Sequence, residues 1–273
     1  EAFRFDSALV YANRTILYAK RMRNEKYLAE AQLKKVHVHT LAAFFVKSRD
    51  LLDSIKVSTL DARLTQAFND EWYLLMSLLA EYTAGTQLHA SYEGRVEYYR
   101  RLILDSPYKD TYAYVRAEMT ELSERGHTEK AIGMLENYLK RWRRTNHEYA
   151  MVCFDLAELY GKLGNSTKRL YYLVQSAISD VYSSSKENNS LRFLAGELFD
   201  QGDVERAYNY MNVSIEDANF YGTRLRNIQN AHILPRIFSA YIVQQHTQRM
   251  HIFGLLVAVS VVAIALIVAV FFI

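Results

Sequence analysis

Proline, glycine and cysteine are scarce in this chain: 273 residues include two prolines, ten glycines and one cysteine. So few helix breakers, alongside abundant Leu, Ala, Glu, Arg, Lys and Tyr, favour an all-α chain. A lone Cys153 excludes an internal disulfide and leaves the redox compartment open. Neither sign of charge dominates, since 33 basic residues stand against 30 acidic ones. That balance carries no polyanion signature, so direct nucleic-acid binding by this segment is not expected. A P-loop, a dinucleotide glycine fingerprint, His-Glu-x-x-His and Cys-x-x-Cys are all missing. Nothing therefore points to an enzyme, a cofactor or a catalytic residue. His37 and His39 stand two apart, about 200° around a helix, and cannot share a metal ion. The chain begins at Glu1, so a missing leader is no evidence of cytosolic residence.

Charge is absent altogether from the last 22 residues, Ile252 to Ile273, of which sixteen are Ile, Leu, Val or Phe. As a helix this stretch spans about 33 Å, enough to cross a hydrocarbon core of about 30 Å. Each large apolar side chain contributes roughly −0.3 to −0.6 kcal/mol to insertion, so the sum is favourable by several kcal/mol. A buried helix of a soluble core normally keeps a polar face, and this one has none. Everything before it is then a domain on one side of a bilayer.

Within that domain three stretches align, starting at Leu122, Leu159 and Leu198. Their glycines, Gly126, Gly164 and Gly202, are spaced 38 residues apart in both intervals. Each unit reads as helix, glycine, capping residue, helix. Glycine supplies the left-handed conformation that ends the first helix, and Thr128, Asn165 or Ser166, and Asp203 are the expected caps of the second. Ala131 and Ala207 sit five positions after their glycines, where two helices approach closely; Arg169 takes that place in the middle unit. Ser106-Pro107 and Thr145 to Glu148 read as further helix starts. Ser183 to Ser190 reads as a polar loop. Ahead of Pro107 the period blurs, but 5–22, 27–45, 48–54, 60–83 and 92–104 keep helical spacing of apolar residues.

These units resemble the tetratricopeptide repeat, whose 34-residue unit carries a Leu-Ala or Leu-Gly pair, an aromatic or Leu three positions on, then Gly, then Ala. Here Leu156-Ala157, Tyr160, Gly164 and Leu194-Ala195, Leu198, Gly202, Ala207 carry the pattern. The expected architecture is a tetratricopeptide-like α-solenoid of antiparallel helix pairs followed by a transmembrane helix. Its divisions are degenerate helical repeats over 1–106, three repeats over 107–218, a closing helix over 219–234, a stalk helix over 235–251 and the membrane helix over 252–273. If the resemblance holds, the first helix of each pair lines a concave binding surface. The groove positions are then Arg116, Met151, Phe154, Glu158, Lys162, Asn189, Arg192 and Phe199, a mixture suited to a peptide. Tyr98-Tyr99 and Tyr171-Tyr172 fall in second helices, where packing is the expected role. Lys140 to Arg144 is a basic run at a helix C-terminus, which complements the helix dipole. Cys153 is expected to be a buried packing residue.

The chain as a whole resembles the sensory half of a family of single-pass regulators from Bacteroidota. The likeness rests on Phe5-Asp-Ser-Ala-Leu9-Val-Tyr-Ala12, on Gly202-Asp203 through Arg206-Ala-Tyr208, and on Arg224-x-Arg226 followed by Ile233-Leu-Pro-Arg-Ile237 and Tyr241. It implies a periplasmic repeat domain on a bacterial inner membrane, binding a peptide, protein or glycan-derived cue. It also implies a cytoplasmic helix-turn-helix output domain that this sequence does not contain. Gly254, Ala258, Ala265 and Ala269 fall within about 60° of one another on a helix and offer a packing face for a homodimer. The alternative expectation is a tail-anchored cytosolic adaptor or assembly scaffold.

Overall fold

A computed structural model describes residues 5–183, 189–222 and 224–272. Among these residues there are twelve α-helices, one 3-10 turn at Val57–Thr59 and no strand. The helices are α1 Phe5–Arg21, α2 Glu25–Leu41, α3 Phe45–Ser54, α4 Ala62–Tyr82, α5 His89–Leu104 and α6 Tyr112–Glu124. They continue as α7 Thr128–Leu139, α8 His147–Lys162, α9 Ser166–Tyr182, α10 Ser190–Asp200, α11 Val204–Tyr221 and α12 Arg224–Phe271. Sequential helices pack as antiparallel pairs, and each pair rests on the next, the arrangement that lets units too small for a core of their own bury a continuous one.

The three repeats are α6/α7, α8/α9 and α10/α11. Their hinge glycines carry φ of +80°, +70° and +84°, the left-handed region in which only glycine is free of strain. The helices that follow are capped by Asn165, whose Oδ1 accepts from Lys168 N at 3.0 Å, and by Asp203, whose Oδ1 accepts from Arg206 N at 3.1 Å. Thr128 is instead the first residue of α7, behind His127, which makes no side-chain cap. Pro107 starts no helix either. Ser106 donates to Gln66 Oε1 and Gln66 Nε2 donates to Thr111 Oγ1, so the buried amide of Gln66 holds the 105–111 loop down and α6 starts from the Thr111 cap. The cap of α8 is Asn146, not Thr145; its Oδ1 accepts from Arg143 N. Most of the serine-rich loop, 184–188, lies outside the described residues.

Between the paired helices the cores are apolar and closed. Leu135, Val152, Leu156 and Leu159 fill one cluster, and Leu173, Leu194, Ala207 and Met211 the next. Ala131 and Ala207 are fully buried. Arg169, at the equivalent place in the middle unit, lies over Gly161, where a Cβ would stand 2.9 Å from its Nη1. The small residue has moved to the facing helix, and the guanidinium pairs with Glu197 at 2.9 Å. Tyr99 stacks on Trp72 at 5.4 Å and Tyr172 on Tyr160 at 5.5 Å. Their sequence neighbours Tyr98 and Tyr171 stay exposed, because consecutive helical residues point about 100° apart. Cys153 is buried, and burial pushes its thiol up to about 12, which keeps it protonated and inert.

The array curls round until its ends meet. Gly222, at φ +78°, ends α11 where an added Cβ would stand 3.5 Å from Phe5 Cβ at the start of α1. Phe5 in turn stacks on Phe44 and edges His39. Immediately after, α12 turns back over α10 and α11. Ile237 is fully buried, Ile233 packs on Gly196, and Tyr241 stacks on Tyr208 at 4.0 Å. Neither a break at Leu234 nor a fresh start at Pro235 exists. The break falls at Gly222, and one helix of 48 residues runs from Arg224 through Pro235 to Phe271, about 72 Å long. Its stretch up to Tyr241 is part of the packed array. Among the described residues it is the one helix long and apolar enough to cross a membrane, and none of its apolar window is buried.

Candidate functional site

First helices of the pairs face inward, and curvature brings them round a cavity of about 460 Å³, inside the range of small-molecule sites, about 300–1,000 Å³. Its walls come from α2, α4, α6, α8, α9 and α10, and Arg226 of α12 reaches in as well. Helical spacing explains the contribution of α4. Asp70, Leu74, Ser77, Leu78 and Glu81 recur every three or four residues and so share one face.

At the centre, Tyr112 of α6 donates its hydroxyl to Asp155 Oδ2 of α8 at 2.7 Å. Arg116, one turn after Tyr112, places Nε 3.8 Å from Asp155 Oδ1. Burial holds the Asp155 carboxyl above its ordinary range, and Arg116 and the Tyr112 hydroxyl partly offset this. Burial, then the Asp155 charge, pushes the Tyr112 phenol well up. The Arg116 side chain is enclosed by protein yet 43% accessible, because it lines the cavity. Its two Nη atoms have no hydrogen-bond partner among the described residues.

Two further carboxylates sit beside histidines. His37 Nδ1 lies 3.0 Å from Glu71 Oε1, and His147 Nδ1 lies 3.4 Å from the buried Asp180 Oδ1. Asp70, next to Glu71, has a buried Oδ1 with no hydrogen-bond partner. Burial first, then the Glu71 charge, pushes its carboxyl up to about 7. Where α12 begins, Gln229 donates its amide to Glu81 Oε1 of α4 and Arg226 Nη1 donates to Gln229 Oε1 at 2.9 Å. These bonds join residues nearly 150 positions apart and close the cavity on its α12 side.

Of the groove positions expected from the repeat pattern, Arg116, Met151, Phe154 and Asn189 line this cavity. The others are not among its lining residues. Lys162 donates to Ser123 Oγ at 3.0 Å, Glu158 lies 3.8 Å from Arg169, and Phe199 carries Arg236 over its ring at 5.5 Å. Arg192 donates to Asn189 Oδ1 and lies over the Phe193 ring at 4.4 Å. Burial, and then the Arg226 charge, pushes its guanidinium down to about 10. Reading the repeats alone misses Asp70, Glu71, Glu81, Tyr112, Asp155 and Arg226. The available signal was acidic residues on the otherwise apolar face of α4. No group of three or more His, Cys, Asp or Glu able to hold a metal occurs among the described residues. The cavity presents charged and apolar groups side by side.

Residues 1–232 match the family model described as the SusR N-terminal TPR domain, and the chain belongs to that family. The match ends inside α12, so it takes in Arg226 and Gln229 but not the apolar stretch. No curated protein matches the chain.

Proposed function

We propose, from its membership of the SusR N-terminal TPR domain family, that this chain is the receiving part of a single-pass membrane sensor. A peptide, protein or glycan-derived cue occupies the concave cavity, and α12 carries the consequence across the bilayer. The repeats stand in the periplasm against a bacterial inner membrane, the output is a DNA-binding domain on the far side, and the chain acts without catalysis.

One observation supports this reading above others. The helix that closes the cavity and the helix apolar enough to cross a membrane are the same helix. A ligand shifts a conformational equilibrium only by binding one state better than the other. Here a ligand at Arg116 and Arg226 competes directly with the Gln229–Glu81 contact, and so has differential contacts to work with. The uninterrupted helix passes any resulting rotation or tilt to residues 252–273, where the face of Gly254, Ala258, Ala265 and Ala269 packs against a second copy.

The test has two arms on the membrane-embedded protein with Cys153→Ala as background. Tyr18→Cys, on the exposed side of α1, is expected to react with a membrane-impermeant maleimide in spheroplasts; reaction only after lysis would establish the cytosolic adaptor instead. Gly254→Cys is expected to form a disulfide dimer whose yield changes when peptide or oligosaccharide pools are added, and Gln229→Ala is expected to abolish that change. A pool that binds the cavity and leaves the crosslink untouched defeats the transmission step.

A further inference from the structure

The cavity has two poles of opposite charge, and each presents a group that the protein leaves unsatisfied. On one side stand Arg116 and Arg226, with Arg192 near enough to Arg226 and Glu81 to feel both charges. The carboxylates here are already engaged, Asp155 by the Tyr112 hydroxyl and Glu81 by the Gln229 amide. The Nη atoms of Arg116 are not, and a guanidinium fork is shaped for a carboxylate. On the other side Asp70 and Glu71 are adjacent on α4, opposite His37, and Asp70 Oδ1 is buried without a donor. Leu74 and Leu78 lie between the poles along α4, and Met151 and Phe154 add apolar surface to a wall that also holds His147 beside Asp180.

Ligand classes can be weighed against this arrangement. An anion would fill the arginine pole and leave Asp70 and Glu71 facing it. A cation would do the reverse. A neutral ligand would desolvate both poles and compensate neither, which costs more than it returns. We propose that the cavity takes a small zwitterion, a free amino acid or a short peptide with both termini unblocked, its carboxylate on Arg116 and its ammonium on Asp70 and Glu71. The side chain of the ligand lies against Leu74, Leu78, Met151 and Phe154. Partial ionisation of Asp70 supports the assignment, because an ammonium supplies the charge that burial beside Glu71 denies it. The inference deepens the sensor reading by naming the ligand class of the same cavity.

The experiment uses the whole chain in lipid nanodiscs, with calorimetry against the common amino acids, every dipeptide made from them and pooled tripeptides. Each binder is compared with its N-acetylated and C-amidated forms. At least one free zwitterion is expected to bind, and blocking either end is expected to weaken it about tenfold or more, the scale of one lost charge-assisted bond. Arg116→Gln is expected to erase the difference between free acid and amide. Glu71→Gln is expected to erase the difference between free amine and acetylated amine. The ligand comparison needs no variant and so stands if either substitution unfolds the chain. Blocked forms binding as well as free ones, no binder in the panel at millimolar concentration, or a neutral oligosaccharide that binds indifferently to both substitutions would each overturn the zwitterion and leave the sensor reading intact. A zwitterion that binds as described without altering the Gly254→Cys crosslink has the opposite meaning: the ligand class holds and transmission fails.

Discussion

The two halves of the repeat array are built from the same helix pairs and differ in how consistently they are built. From α6 to α11 the hinge inside each pair is a glycine in the left-handed region, and the buried Asp155 has a hydroxyl and a guanidinium beside it. From α1 to α5 the α4/α5 hinge has such a glycine, Gly85 at φ +80°, but the left-handed places between α1 and α2 and between α2 and α3 are held by Arg23 at φ +51° and Ala43 at φ +63°. There the buried Asp70 Oδ1 has no hydrogen-bond partner, as Gln175 Oε1 also has none in the second half. Each departure costs free energy locally. Such departures mark places where something other than stability constrains the residue. Asp70 lies in the wall of the cavity.

This contrast can be pressed hardest at Asp70. Well below pH 4 its carboxyl is protonated in both states and adds no pH dependence to stability. Between there and about 7 the unfolded chain ionises while the folded one resists, and stability is lost as pH rises, reaching a plateau above 7. Asp70→Asn is therefore expected to match the parent near pH 3 and to exceed it by on the order of 4 kcal/mol at pH 8. Melting curves across that range check this, and a constant offset would remove the account. The second comparison lies at the hinges. Gly164→Ala meets no atom within 4 Å, so its cost is backbone strain alone, about 1–2 kcal/mol of lost stability. Arg23→Gly is the mirror experiment in the irregular half. Relief of strain, less the added freedom of glycine in the unfolded chain, is expected to raise stability by about 0.5–1 kcal/mol. Denaturant titrations giving both substitutions the same sign would erase the distinction between the halves.

How much of this was legible beforehand varied with how local the cause was. The 38-residue glycine spacing located three hinges, because a left-handed turn is specified by one residue. Asn165 and Asp203 were legible as caps for the same reason. Pro107 misled because the bonds that moved that boundary came from elsewhere, from Gln66 on α4 to Ser106 and Thr111; at Thr128 and Thr145 the cap position is the neighbouring residue, His127 and Asn146. Among the groove residues, Arg116, Met151, Phe154 and Asn189 followed from repeat register. Asp70 and Glu81 lay in a stretch where the register was blurred, and Arg226 lay outside the repeats.

By itself the sequence determined that the chain is helical, that its second half repeats, and that its last helix is apolar enough to cross a bilayer. Each of these depends on propensity, turn chemistry or composition within a few tens of residues. Tertiary structure alone decided that α1 returns to Gly222, that Gln229 reaches Glu81, and that one helix both closes the cavity and enters the apolar stretch. The reason is cumulative. Small rotations between successive helix pairs add up over the array, and no single pair carries enough information to show where the ends will meet.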